Sequence, residues 1–224
     1  MIGIILGVLA MLATGPVKSE AKGSPSRWVL ASDLSAIDST SASTIFEIVI
    51  DDKGRPIRCA IVVESGSDDL DRAVCNAILK RARFKPAKDI EGTPVYSIRR
   101  DKVIWKPQAY GSNSHIDNAD VMLSSSEIEV ESPIFAEIIV TLNPVANQTA
   151  CHVTDTSGDQ KLDELACSII KQPEFSAPLT DNSGNYVRGL RSWLIAFTHG
   201  PTTELQITLG TETDVRVVKR RALR

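Results

Sequence analysis

Four cysteines stand in two pairs of identical spacing, and they are the only cysteines in the 224-residue chain. Cys59 and Cys75 lie sixteen positions apart in "RCAIVVESGSDDLDRAVCNAIL", and Cys151 and Cys167 lie sixteen apart in "ACHVTDTSGDQKLDELACSII". A shift of 92 positions lays the first pair on the second (151 − 59 = 92, 167 − 75 = 92). The same shift brings Gly66 onto Gly158, Leu70 onto Leu162, Asp71 onto Asp163, Ile78 onto Ile170 and Gly92 onto Gly184. "ARFKPA" is answered by "PEFSAP" one residue out of register, and "KVIW" ending at Trp105 meets "LIAF" ending at Phe197. An ordered series of apolar, glycine and acidic matches reads as one unit written twice, so whatever the first copy folds into, the second is expected to echo.

Each copy has the same local grammar. "IFEIVI" (45–50) is a β-branched run, "DDKG" supplies turn chemistry, and "PIRCAIVVES" (56–65) returns as a second strand. A helix is expected from about Ser67 to Arg83. Ser67 or Asp68 can cap it, acidic residues fill its first turn, and Lys80, Arg81 and Arg83 close it in keeping with the macrodipole. Its apolar stripe includes Leu70, Val74, Cys75, Ile78 and Leu79. "TPVYSIRRDKVIW" (93–105) then gives a long third strand. The second copy repeats this with strands at 137–142 and 149–155, a helix near 159–171 and a strand at 187–197. The expected fold is α+β: two tandem β-β-α-β modules, each a small antiparallel sheet with one helix packed across it.

Four cysteines allow three pairings. Cys59 shares one strand face with Ile57, Ile61 and Val63, and Cys75 lies on the buried stripe of the helix. A helix covering that face brings the two thiols together, so the expected cystines are Cys59–Cys75 and Cys151–Cys167, one inside each module. A core this small is marginal alone, and a loop of about 15 residues closed by a disulfide contributes on the order of 3 kcal/mol.

"MIGIILGVLAMLATG" at the start is apolar but too short for an ordinary span, which needs about 20 residues. It reads as an export signal with a small-residue site at "SEA" (19–21), as a membrane anchor if uncleaved, or as a buried N-terminal segment. The expected organisation is 1–21 signal peptide or anchor, 22–43 extended segment, 44–107 first module, 108–132 linker with a short strand near 127–131, 133–199 divergent second module, and 200–224 an extension with a basic end. Export agrees with cystines rather than free thiols.

The order of motifs in the first copy resembles the C-terminal domain of the TonB family. Ser65-Gly66 ends the second strand, Leu70-Asp71 opens the helix, and Phe84-Lys85-Pro86-Ala87 and Gly92-Thr93-Pro94-Val95 precede the last strand. The resemblance covers about 60 residues, and the second copy shares it only through the duplication. It implies a periplasmic, non-catalytic domain that grips an extended segment of an outer-membrane transporter, or another envelope protein, by adding it as a strand to a sheet edge. The implied edge residues are Tyr96, Ser97, Ile98, Arg99, Val103 and Trp105 in the first copy, and Leu190, Trp193 and Phe197 in the second. Energy transducers of this family carry an anchor histidine and a long Pro-rich spacer. Residues 2–15 hold no histidine, and only about 23 residues separate the apolar run from the first module. A doubled binding module is therefore expected, assisting transport without transducing force. The other reading is an envelope scaffold whose edges pair with each other or with a second chain.

Other chemistries are poorly supported. Zinc and thioredoxin-like sites call for C-x-x-C spacing, and His115, His152 and His199 are scattered. No serine stands in a nucleophile elbow, so no catalytic residue, metal or cofactor is expected. A net charge of −3 gives no reason to expect nucleic acid as a partner. The basic run between Lys80 and Lys102 reads as helix-end compensation and a solvated strand face, and "RVVKRRALR" (216–224) as a solvated end.

Overall fold

Apolar residues on both parities of "IFEIVI" commit both faces of one strand to packing. In the computed structural model, which describes residues 15–33, 42–105, 119–144, 150–172, 175, 178–209 and 215–218, this run is the middle strand of the first module. In chain order, β1 (Glu20–Ala21) precedes β2 (Ala42–Ile50), β3 (Pro56–Val63) and α1 (Asp68–Arg81). β4 (Phe84–Lys85) and β5 (Ala87–Lys88) are short, and β6 (Pro94–Trp105) is the long third strand. β7 (Val121–Ser125) comes next, then β8 (Ile134–Leu142), β9 (Ala150–Asp155), α2 (Gln160–Ile170), β10 (Gly189–His199), β11 (Leu205–Leu209) and β12 (Val215–Val218).

The β-β-α-β order is therefore present in both halves. β2 pairs antiparallel with β3 on one side and β6 on the other; β8 pairs antiparallel with β9 and β10 in the same way. The cystines are Cys59–Cys75, with Cα atoms 5.5 Å apart, and Cys151–Cys167, at 5.8 Å. Each joins the second strand of its half to the helix that covers it.

The entry to each helix is built alike. Asp71 accepts hydrogen bonds from the backbone N–H of Ser65, and Ser67 caps α1 by accepting from the N–H of Leu70. Asp163, its counterpart 92 positions on, accepts from the N–H and the hydroxyl of Ser157 and from the hydroxyl of Thr156. Burial works against the Asp163 carboxylate, but these donors outweigh it and hold its pKa below the usual value. The repeated Leu-Asp pair thus places an apolar residue on the core stripe and, beside it, a carboxylate that ties the helix back to the preceding loop.

The sheets do not stand apart as two small antiparallel units. A single ten-stranded sheet runs through both halves. Its junction is a parallel pairing of the two third strands, Gly189–Arg191 of β10 beside Tyr96–Ile98 of β6. Close approach there requires a glycine: a Cβ on Gly189 would stand 2.8 Å from the Tyr96 carbonyl oxygen and 2.4 Å from a Leu179 methyl. Strand parity puts the helices on opposite faces. Phe46, Ile48 and Ile50 pack with Leu70, Val74 and Ile78 of α1, whereas Val49, of the other parity, joins the core of Leu165, Ala166, Ile169 and Ile170 from α2.

Two expectations outside the modules are corrected. The strand in the 108–132 region is Val121–Ser125 rather than 127–131. Val121, Leu123 and Ser125 alternate inward, while the following residues turn, with Ile128 N–H donating to the Ser125 carbonyl. The 22–43 segment is not extended where it is described. It makes single 3-10 turns at Pro25–Arg27 and Ala31–Asp33, and it buries Trp28 against Phe84 with ring centroids 5.1 Å apart. Arg81 locks this by donating to the Trp28 carbonyl and pairing with Asp33. Just before it, Val17 exchanges two backbone hydrogen bonds with Lys88, and β1 pairs with β4. The boundary expected at residue 21 falls at the end of β1, so it would separate that strand and Val17 from the first half they pair with; residues 1–14 lie outside the described ones. No helix among the described residues is long and apolar enough to cross a membrane.

Candidate functional site

β10 decides which edges are open. One of its sides is taken along its length by β8, from Gly189–Leu142 to Phe197–Ile134. The other side is shared: β6 occupies Gly189–Arg191, and β7, also parallel, occupies Ile195–His199. Between these two stretches the sheet forks. Asp120 closes the gap on the β10 side, its N–H donating to the Leu194 carbonyl and its carboxylate accepting the Leu194 N–H, both at 2.8 Å. β6 splays away, and beyond Ile98 its outer edge has no strand partner among the described residues.

The sequence-expected edge residues divide accordingly. Tyr96, Ser97 and Ile98 are not on a free edge, because β10 pairs with their backbone. Burial, with Asp52, Asp181 and Asp51 nearby, raises the Tyr96 phenol pKa. Ser97 is buried, and its hydroxyl has no partner among the described residues. Leu190, Trp193 and Phe197 are core residues on a strand flanked from both sides. The reason is plain: two adjacent third strands satisfy each other's N–H and C=O groups, and the aromatic side chains bury on α2 instead of waiting for a ligand. Phe175 meets Trp193 edge-on at 5.7 Å, and the Arg191 guanidinium lies 3.9 Å over the same indole.

Arg99, Val103 and Trp105 remain on the open stretch. Val103 packs against the α1 core, and Trp105 ends the pairing with Ala42. Arg99 pairs with Asp101 and donates to the Ser19 carbonyl; burial opposes its charge, but Asp101 more than compensates and its pKa is raised.

The fork opens into a cleft of about 270 Å³ with a charged lining: Lys18, Arg99, Arg100 and Lys102 against Asp101, Asp120 and Glu137. Lys18 pairs with Glu137, so the N-terminal strand spans both halves. On the α2 side, Glu47 pairs with Arg191, and Arg100 lies 3.5 Å from Asp120. Burial pushes the Asp120 carboxyl up to about 6 despite the Leu194 N–H, Arg100 and Arg191, with Glu47 adding to the rise. Burial likewise lowers the Arg191 pKa. Sequence reasoning missed this cluster. The available signal was a lone acid in "FEIVI" and a lone cation in "LRSWLIAF", opposite charges on strands otherwise written for a core.

The first half is a helix-backed sheet whose third strand has an outer stretch without a strand partner among the described residues. Residues 38–107 match the family described as the Gram-negative bacterial TonB protein C-terminal, which supports the resemblance of the first half to that family. The family is one of periplasmic protein-interaction domains in TonB-like proteins. The match does not extend to the second half, whose likeness to the first rests on its element order and the 92-residue shift. No curated protein and no solved structure matches the chain.

Proposed function

We propose that this chain is a non-catalytic periplasmic protein that holds an extended segment of an envelope partner, such as an outer-membrane transporter, along the outer edge of β6 at Arg99–Trp105. The observation that carries the reading is the fork: among the described residues, β6 keeps both edges engaged only as far as Ile98. An incoming strand would complete the ladder there, its side chains alternating between Arg99, Asp101 and Val103 on one face and Arg100, Lys102 and Ile104 on the other. The second half acts as a wall that shortens the docking edge, because β10 is enclosed by β8, β6 and β7. A scaffold reading is supported by one fact, that the two third strands already pair with each other.

The test uses peptides from transporter plug domains, unmodified and N-methylated at alternate residues, titrated into the chain while its mass in solution is recorded. Binding by a monomer that N-methylation on one parity abolishes supports strand addition. Binding indifferent to N-methylation, or a stable dimer without peptide affinity, overturns it; the dimer outcome favours the scaffold.

A further inference from the structure

The small residues Ser19 and Ala21, which read as an export cleavage site, have a second explanation in the fold. Residues 17–21 run as an extended strand along the outer edge of Phe84–Lys88. Val17 and Lys88 exchange backbone hydrogen bonds of 2.8 and 2.9 Å, and the Lys22 N–H donates to the Arg83 carbonyl at 2.7 Å. Between them Glu20 and Ala21 pair with Lys85 and Phe84. Strand parity turns Ser19 and Ala21 inward and Lys18 and Glu20 outward. Ser19 is 3% exposed, and its carbonyl accepts from the Arg99 guanidinium at 3.3 Å. Ala21 packs against the core that α1 covers. Both positions face packed surroundings, so small residues suit them without reference to any peptidase. The outward residues are paired: Glu20 meets Lys85, and Lys18 meets Glu137 of the second half.

We propose that Val17–Ala21 belong to the mature protein as one wall of the fork cleft, so that export leaves the peptide bond after Ala21 uncut and any processing falls before Val17. That bond lies within a ladder, with Ala21 paired on one side of it and the Lys22 N–H bonded on the other. Tolerated cuts fall where the backbone is exposed and unpaired, which is not the case here. A cut after Ala21 would remove the strand and leave the outer edge of Phe84–Lys88 as a row of unpaired N–H and C=O groups. It would also remake the cleft. Lys18 is one of its four lining cations, and the Ser19 carbonyl helps to hold Arg99, which pairs with Asp101. Without Lys18 the lining falls to three cations against three carboxylates, and Glu137 loses its ion-pair partner. The inference rests on the periplasmic part of the reading above and not on strand addition.

The test expresses the full-length chain in Gram-negative cells and weighs it intact after alkylation without reduction. The mass of each molecule gives its N-terminus. Molecules that take up no alkyl group carry both cystines and have left the reducing cytosol. These cystine-bearing molecules are expected to begin at or before Val17. A terminus anywhere from Lys18 to Lys22 among them overturns the proposal and leaves export standing. Four alkylated cysteines in every molecule refute export, and the proposal falls with it. Carbodiimide coupling then checks the wall in the same cystine-bearing chain. Lys18 is expected to join Glu137 as an amide with loss of one water, the pair being in direct contact. Absence of that amide in chains that retain Lys18 overturns the proposal, because the strand would not be docked across the cleft.

Discussion

Asp120 is the group at which the junction between the halves is most exposed to a quantitative check. Its carboxylate holds the Leu194 N–H and faces Arg100, Arg191 and Glu47, yet burial places its titration at about 6 instead of the ordinary 3.8. A folded-state pKa above the unfolded one means that the folded chain binds more protons between the two values, so stability falls as pH rises through that window. At 1.36 kcal/mol per pH unit, the interval from 3.8 to about 6 corresponds to about 3 kcal/mol, present in full below pH 3.8 and lost above pH 6. Asn at this position keeps an oxygen for the Leu194 N–H and does not titrate. Urea unfolding of the parent and of Asp120→Asn, monitored by circular dichroism from pH 4 to pH 8, isolates the term, because every other carboxylate titrates in both proteins and cancels in the difference. The expected result is a stability difference that moves in favour of the Asn variant by about 2.4 kcal/mol between pH 4 and pH 8, because at pH 4 the unfolded carboxyl is already more than half ionised. Parallel pH profiles would refute the reasoning and return Asp120 to the behaviour of a solvated carboxylate.

The packing implies three further outcomes. Cys59→Ser with Cys75→Ser opens a loop of sixteen-residue separation and is expected to lower unfolding free energy by about 3 kcal/mol under oxidising conditions, with no difference from the parent once both are reduced. Gly54→Ala is expected to cost about 3 kcal/mol or more by thermal unfolding: Gly54 sits at φ +79°, and a Cβ there would stand 2.0 Å from the Phe84 carbonyl oxygen. A chain beginning at Lys22 loses β1, the Val17–Lys88 hydrogen bonds and the Lys18–Glu137 pair, and is expected to unfold several degrees below one beginning at Gly15. Equal melting temperatures would show that the strand contributes nothing measurable.

The pieces of this fold were legible because they are local. Helical spacing located α1 and α2 to within a few residues, β-branched runs between turn residues located β2, β3, β6 and β8, and the strand face of Cys59 with the helix stripe of Cys75 paired the right cysteines. The alternation of "VMLSS" is short and lies inside a polar stretch, so its period of two stands out less than that of the strands in the two halves. What could not be read was which strand lies beside which. Every strand edge offers the same row of N–H and C=O groups, and no side chain announces whether a neighbour from its own hairpin, from the other half or from another molecule will meet them. Only the assembled chain shows β10 enclosed, β6 without a partner beyond Ile98 among the described residues, Val17 and Glu20–Ala21 recruited to the first half by backbone pairing, and Glu47, Arg100, Asp120 and Arg191 gathered from four distant segments. The sequence by itself thus determined the units and their staples, through periods of two and 3.6 residues that need no partner to be recognised. The tertiary structure decided the open edge and the buried charges, because both depend on contacts between residues that are far apart along the chain.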